Sequence, residues 1–185
     1  MYQKINPLAG YQDVYGCGVG NFKRIDFLSD DQEVYKFLDL SFITKKYDMY
    51  LLNTCVTRKS TNILKTLVVD KSLELLQVVD DLEECIIMKR EDDFLNIINR
   101  GWEIKKKTSA QILNNQELLD MEQLLTTEAS IRALKLCGAG GGGYFLLFVL
   151  KEQEAPFMAF YEHNFEDKPI VKIKIDNNGP IGVTI

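Results

Sequence analysis

The chain has 185 residues, of which 46% are hydrophobic, and its formal net charge is −5. This length suits one domain, or one domain with a short piece of a second, and the hydrophobic content is enough for an ordinary core. The acidic balance argues against a nucleic-acid-binding role, because such a surface needs clustered Lys and Arg, and the short runs Lys45–Lys46 and Lys105–Lys107 are typical of solvated faces.

A strand followed by a helical region opens the regular part of the chain. Residues 47–55 are β-prone and predict the strand. Apolar residues then recur at helical spacing, as Leu75, Val78 and Leu82 do in the second helix. The predicted helices cover residues 58–69, 72–88, 91–107 and 116–130.

Strands dominate the rest of the sequence. Residues 132–137 alternate like a half-buried strand, and residues 144–150 are continuously apolar like a strand covered on both faces. Pro156 suits the first turn of a helix, and residues 170–175 alternate again. This order of elements predicts an α+β fold of the ferredoxin-like kind, with extra helices inserted after its first strand.

Between the two middle strands lies the most unusual stretch of the chain, Gly138-Ala139-Gly140-Gly141-Gly142-Gly143. A hairpin needs only one or two residues with positive φ, and every further glycine costs conformational entropy on folding. Because such a backbone can approach a ligand closely, a phosphate-binding loop is the sharper interpretation. The alternative is a permissive connection between buried strands. Neither the Walker sequence nor the Rossmann fingerprint fits, since no Gly-Lys-Ser/Thr follows and the next element is a strand.

The segment from Lys135 to Tyr144 resembles the third signature of the GHMP small-molecule kinases, whose pattern is Lys-x-x-Gly-Ala-Gly-Gly-Gly-Gly-aromatic. The resemblance is closest to the sugar-phosphate branch of that family, with its heptose-7-phosphate kinases and galactokinase-like enzymes. Upstream, Gly10-Tyr11-Gln12-Asp13-Val14-Tyr15 is similar to the Gly-x-Gln-Asp-Gln-Tyr stretch of that branch, with Val14 where the branch usually has Gln.

Two further segments are similar to the same family. Leu51-Leu52-Asn53-Thr54, with Arg58, resembles its strand-then-Arg segment. Its Trp-x-x-Lys-Lys-x-x-Ser segment is matched by Trp102, Lys105, Lys106 and Ser109. The helical spacing of Trp102 from Ile98 favours a core position for the indole over a sugar-stacking platform.

The resemblance implies transfer of the γ-phosphoryl group of ATP to a sugar hydroxyl, with Mg²⁺ as the accompanying ion. Asp13 falls on the family's catalytic aspartate, which takes the proton of the acceptor hydroxyl; the alternative is an acidic residue that complements a helix dipole. Residues 138–143 would contact the nucleotide phosphates. Gln12, Arg58 and Lys135 are candidate substrate-binding residues, although surface positions explain Arg58 and Lys135 as well.

One family segment has no counterpart in this sequence. In these kinases a Pro-x-x-x-Gly-Leu-Gly-Ser-Ser loop holds the nucleotide phosphates, with magnesium ligands nearby, and no such run is present. We therefore expect residues 1–45 to be the end of the family's N-terminal domain and residues 46–185 to be its C-terminal domain. The chain would then be a kinase fragment or subunit that works with a separate N-terminal half, or a non-catalytic binding or interaction module that retains the fold.

The cysteines and the histidine predict no metal site. Four cysteines stand far apart, without the paired spacing of a zinc site or a disulfide framework, and His163 is the single histidine. We expect the cysteines to be buried thiols of a protein in a reducing compartment, hence the cytoplasm. The longest apolar run, residues 144–150, is far too short to span a bilayer, so no membrane association is expected.

Overall fold

The computed structural model describes Gly16 and residues 18–29, 32–57 and 69–178, with side chains from residue 73 onward in the last range. The chain divides into two compact units, one formed by Ser41–Ile173 and the other by Met1–Leu40 with Lys174–Ile185. The assignment of residues 1–45 to an N-terminal kinase domain stays a prediction, because this division does not identify the origin of either unit.

The smaller unit contains a two-stranded antiparallel hairpin. Strand β1, Lys23–Ser29, pairs with strand β2, Gln32–Phe37, and the register shifts near the end of β1. The backbone N–H of Asn21 donates to the carbonyl of Asp176 at 2.6 Å, which ties the C-terminal segment to the start of the hairpin. These two strands were not among the predicted elements, and their pairing depends on two segments together.

A four-stranded antiparallel sheet forms the centre of the larger unit. A short helix α1, Ser41–Thr44, leads into strand β3, Tyr47–Asn53. The remaining strands are β4, Ile131–Leu136, β5, Tyr144–Leu150, and β6, Ile170–Ile173. The strand order is β4-β5-β3-β6, with antiparallel pairing throughout. Both features confirm the ferredoxin-like α+β prediction.

Helices fill the long connection after β3 and the shorter one before β6. Their bounds are Val69–Ile87 for α2, Glu91–Thr108 for α3, Gln116–Thr127 for α4 and Glu154–Phe165 for α5. A further helix was predicted at residues 58–69, and of these, residues 58–68 lie outside the described residues. Helix α4 ends before residue 130, because the Glu128 carboxylate accepts hydrogen bonds from the N–H and hydroxyl of Ser130 and turns the chain into β4. Among the described residues, no helix is both long and apolar enough to cross a membrane.

Apolar side chains cover both faces of this sheet. On one face, Leu52, Phe145 and Leu136 lie side by side on neighbouring strands and belong to one buried cluster with residues of α4 and α5. On the other face, the ring of Phe148 meets that of Phe94 of α3 edge to face, with centroids 5.8 Å apart. The sheet is therefore a rigid base for the loops at its ends.

The cysteines are less uniformly buried than expected. Cys85 is buried, and this burial raises the pKa of its thiol. Cys137 is half-buried, whereas Cys17 lies outside the described residues. Cys55 is exposed, because the chain leaves the sheet after β3 with a left-handed φ of 56° at this residue. The expectation of buried thiols is therefore wrong for Cys55.

Helix α3 runs along the outer edge of β4. The Asn99 side chain accepts a hydrogen bond from the N–H of Leu134 at 3.0 Å and donates one to the carbonyl of Arg132 at 3.1 Å. Strand β4 lies at the edge of the sheet and has no neighbouring strand on this side. The side-chain amide of Asn99 therefore pairs two backbone groups that a neighbouring strand would otherwise pair. It also fixes the helix beside the strand that leads into the glycine loop.

We expect Asn99→Ala to lower the free energy of unfolding by about 1–2 kcal/mol, because two backbone groups of β4 lose their partner. Asn96, one turn earlier on α3, is exposed, and its side chain hydrogen bonds to no other described residue. Asn96→Ala is the matched control and should change stability by less than about 0.5 kcal/mol. Urea unfolding measures both variants, and equal losses would contradict the role of Asn99 at the strand edge.

Candidate functional site

The glycine loop joins β4 to β5 at one end of the sheet, and its backbone is almost entirely left-handed. Its five glycines have φ values between 70° and 136°. Gly140, Gly141 and Gly142 are buried. The loop is therefore folded onto the protein and does not project from it.

Thr54, the first residue after β3, holds one side of the loop. Its N–H and its hydroxyl both donate to the carbonyl of Gly143, at 2.8 and 3.0 Å, and the hydroxyl oxygen accepts from the N–H of Gly143 at 3.0 Å. A Cβ on Gly142 would lie 2.3 Å from the carbonyl oxygen of Val56. Only glycine allows the two backbones to come this close.

The turn after α3, residues 109–113, holds the other side of the loop. The N–H of Gly141 donates to the carbonyl of Ile112 at 2.8 Å. A Cβ on Gly140 would lie 2.9 Å from Cγ1 of Ile112, which is fully buried. The buried hydroxyl of Ser109 accepts from the N–H of Gln111 at 3.1 Å and so shapes this turn.

Lys105, in the last turn of α3, reaches the entry of the loop. Its ammonium group donates to the carbonyl oxygens of Leu136 and Gly138, at 3.1 and 2.5 Å. The interpretation of Lys105–Lys107 as a solvated face is therefore wrong for Lys105. A local run of charges contains no information about partners that lie some 30 residues further along the chain.

Lys106 and Trp102 share one partner on α4. The indole N–H of Trp102 donates to the Glu122 carboxylate at 2.8 Å, and the Lys106 ammonium pairs with both Glu122 and Glu103. Burial alone would lower the pKa of Lys106, yet its hydrogen bonds to Glu103 and Glu122 raise that pKa above its ordinary value. Trp102 is 3% exposed and meets Phe145 edge to face, which confirms the core position expected for it.

Some amides of the loop are not used by these anchors. The N–H groups of Ala139 and Gly142 donate to no other residue that the structure describes. Gly142 is buried, and buried amides are nearly always paired. Ala139 lies without a positive φ between Gly138 and Gly140, which both have one, and backbone that alternates in this way forms the concave arrangement of amides that binds anions. The chemistry that the loop offers is therefore hydrogen bonding to a negatively charged oxygen.

Only part of the predicted site lies in the described residues. Lys135 is half-buried on β4, opposite Leu146 on β5. Gln12, Asp13 and Arg58 lie outside the described residues, so their roles stay predictions.

Sequence reasoning missed three residues that shape the loop. Thr54 and Lys105 stand inside segments that resemble the kinase family, and this resemblance was the available signal for them. Nothing in the local sequence marks Ile112, because its contacts with Gly140 and Gly141 arise only when the chain folds.

Three solved structures illustrate what the fold resembles. The Lactococcus lactis galactokinase complexed with galactose aligns over 92% of this chain and 55% of that chain, with a TM-score of 0.67 and 14% identity. The L. major mevalonate kinase in complex with R-mevalonate aligns over 83% of this chain and 48% of that one, with a TM-score of 0.64 and 13% identity. Homoserine kinase from Cytophaga hutchinsonii aligns over 96% of this chain and 56% of that one, with a TM-score of 0.63 and 13% identity.

These structural neighbours are kinases of the GHMP family, and at such low identity they establish the likeness of the fold alone. This chain spans about half the length of the structures that it matches. No protein-family model matches the chain, and no curated protein sequence is significantly similar to it.

Proposed function

We propose that this chain is the part of a GHMP-type sugar or sugar-phosphate kinase that carries the glycine loop and the catalytic aspartate. The reaction transfers the γ-phosphoryl group of ATP to a sugar hydroxyl. One observation carries the proposal: the largely buried, left-handed loop offers the amides of Ala139 and Gly142, which have no partner among the described residues. The fold shared with kinases supports it. The sugar acceptor and the sugar-phosphate branch rest on the sequence resemblance.

The chemistry suits such a loop, because phosphoryl transfer depends mainly on positioning and on neutralising charge. Negative charge spreads over the oxygens of the moving phosphoryl group, and amides fixed in advance stabilise it without reorganising. The anchors at Thr54 and Ile112 supply this rigidity, since each bonds directly to the loop backbone. The loop is thus proposed to bind the phosphoryl group, and not the acceptor.

The acceptor side of the reaction is assigned to Gln12, Asp13, Arg58 and Lys135. Asp13 would orient the sugar hydroxyl and take its proton, with Gln12 beside it. Arg58 and Lys135 would supply positive charge to a phosphate group on the substrate, Arg58 through its planar guanidinium fork. These roles come from the family resemblance.

The described residues around the loop fit the phosphate part of ATP and do not fit its magnesium ion. The contacts of the loop are amides, the Thr54 hydroxyl and the Lys105 ammonium, whereas Mg²⁺ prefers carboxylate and phosphate oxygens. We therefore propose that a separate N-terminal kinase half supplies the magnesium ligands and the Gly-Leu-Gly-Ser-Ser phosphate loop. The cytoplasm, where ATP is abundant, is the proposed compartment.

One observation favours the second candidate, a non-catalytic binding or interaction module. Both anchors of the loop, Thr54 and Ile112, belong to this chain, so the loop keeps its shape without a nucleotide. In that case the glycines serve only the close packing of backbone on backbone.

Titration of the ¹⁵N-labelled chain with tripolyphosphate separates the two functions. If the loop binds phosphate, the amide signals of Ala139 and Gly142 should move with a dissociation constant of about 1 mM, equivalent to about 4 kcal/mol. The amide of Gly101, within α3, is the internal control and should not move. A parallel titration with sodium chloride at the same ionic strength shows which signal changes come from salt screening alone. Loop signals that stay fixed at about ten times that concentration would favour the interaction module.

A further inference from the structure

The two carbonyls that Lys105 binds determine which way the loop amides point. In a trans peptide unit the C=O and the N–H lie in one plane and point in opposite directions. The first unit shows this directly: the carbonyl of Leu136 faces Lys105, while the N–H of Cys137 donates to Tyr144 on the other side at 2.8 Å. The carbonyl of Gly138 also faces Lys105. The N–H of Ala139, in the same peptide unit, therefore points away from the lysine.

This arrangement places a positive charge behind an amide dipole. The ammonium of Lys105 lies at the oxygen end of the Gly138–Ala139 peptide unit, and the N–H end points toward the opposite side. A cation at the oxygen end polarises the peptide and makes its N–H a stronger donor to an anion. The lysine thus acts on an anion through the backbone, without touching it.

We infer that Lys105 is a positioning residue for the phosphate, which holds the Ala139 amide toward the anion and strengthens it as a donor. This inference rests on the proposed function, because it requires the loop to bind phosphate. It assigns a role in ligand binding to a lysine whose visible contacts are all with the protein itself.

The helix offers a matched control for the charge. Lys107 lies two residues further along α3 and is exposed, and its side chain forms no ion pair or hydrogen bond with another described residue. Lys105→Met removes the charge and the hydrogen bonds, whereas Lys107→Met removes only a charge. Lys105→Arg keeps a cation of sufficient length, and Lys105→Gln keeps a neutral donor of shorter reach.

The test is the tripolyphosphate titration repeated on these variants, with thermal unfolding measured on each. We expect Lys105→Met to weaken binding by about fivefold or more and to shift the Ala139 amide signal before any ligand is added. The dissociation constant of Lys105→Arg for tripolyphosphate should stay within about twofold of that of the parent chain. The dissociation constant of Lys107→Met should equal that of the parent chain. If Lys105→Met does not fold, Lys105→Gln carries the same expectation, because it also lacks the charge.

The outcomes separate the role of Lys105 from the role of the loop. If Lys105→Met and Lys105→Gln bind tripolyphosphate as tightly as the parent chain does, the inference is overturned, although the loop still binds phosphate. An equal loss in Lys105→Met and Lys107→Met would also overturn it, because the effect would then be one of net charge. A parent chain that shows no response to tripolyphosphate contradicts the proposed function, and the inference fails with it.

Discussion

Gly142→Ala is expected to destabilise the larger unit by about 3 kcal/mol, the largest stability effect of any substitution considered for the loop. The φ of Gly142 is 136°, in a region that residues with a Cβ rarely adopt. The added carbon would also lie 2.3 Å from the carbonyl oxygen of Val56. That carbonyl cannot easily retreat, because the neighbouring Thr54 is bonded to Gly143 through both its N–H and its hydroxyl.

Gly141→Ala provides the comparison for this prediction. The φ of Gly141 is 70°, in the ordinary left-handed region, where an alanine costs about 1–2 kcal/mol. Urea unfolding of both variants measures the difference. A loss for Gly142→Ala no greater than that for Gly141→Ala would show that the close approach to Val56 does not constrain the loop.

Local sequence predicted the elements of the larger unit well where composition changes sharply. Strand β5 has the predicted bounds, because its apolar run begins directly after a glycine and ends before the charged residues that follow. Helix α4 is shorter than predicted because its end depends on a side-chain contact, the carboxylate of Glu128 with Ser130. The β1–β2 hairpin was missed because its pairing is a property of two segments together.

The site shows the same division between local and long-range information. The glycine run identified the loop by itself, since no ordinary turn needs so many residues without a Cβ. Its anchors were hidden, because Thr54 lies 89 residues from Gly143 in the sequence. Lys105 was misassigned for a related reason: adjacent lysines favour a solvated face, and only the folded chain brings the loop carbonyls within reach of one of them.

Asp13→Asn is expected to lower turnover by at least about 10²-fold when the chain works with the half that supplies the nucleotide phosphate loop. The carboxylate is proposed to take the proton of the acceptor hydroxyl, and an amide of the same shape cannot accept that proton. The KM for ATP should change little, because Asp13 is assigned to the acceptor and not to the nucleotide. The measurement is a steady-state assay of sugar phosphorylation, with kcat and both KM values determined for parent and variant.

Asp120 is the matched control for this substitution. It is exposed on α4, where its carboxylate accepts a hydrogen bond from Gln116 that an asparagine oxygen can also accept. Asp120→Asn should therefore leave turnover within about twofold of the parent, since surface substitutions of this kind have small effects. If Asp13→Asn behaves like Asp120→Asn, Asp13 does not act as the base, and its carboxylate serves only to complement a helix dipole. If both KM values rise while kcat stays the same, Asp13 contributes to ground-state binding and not to proton transfer.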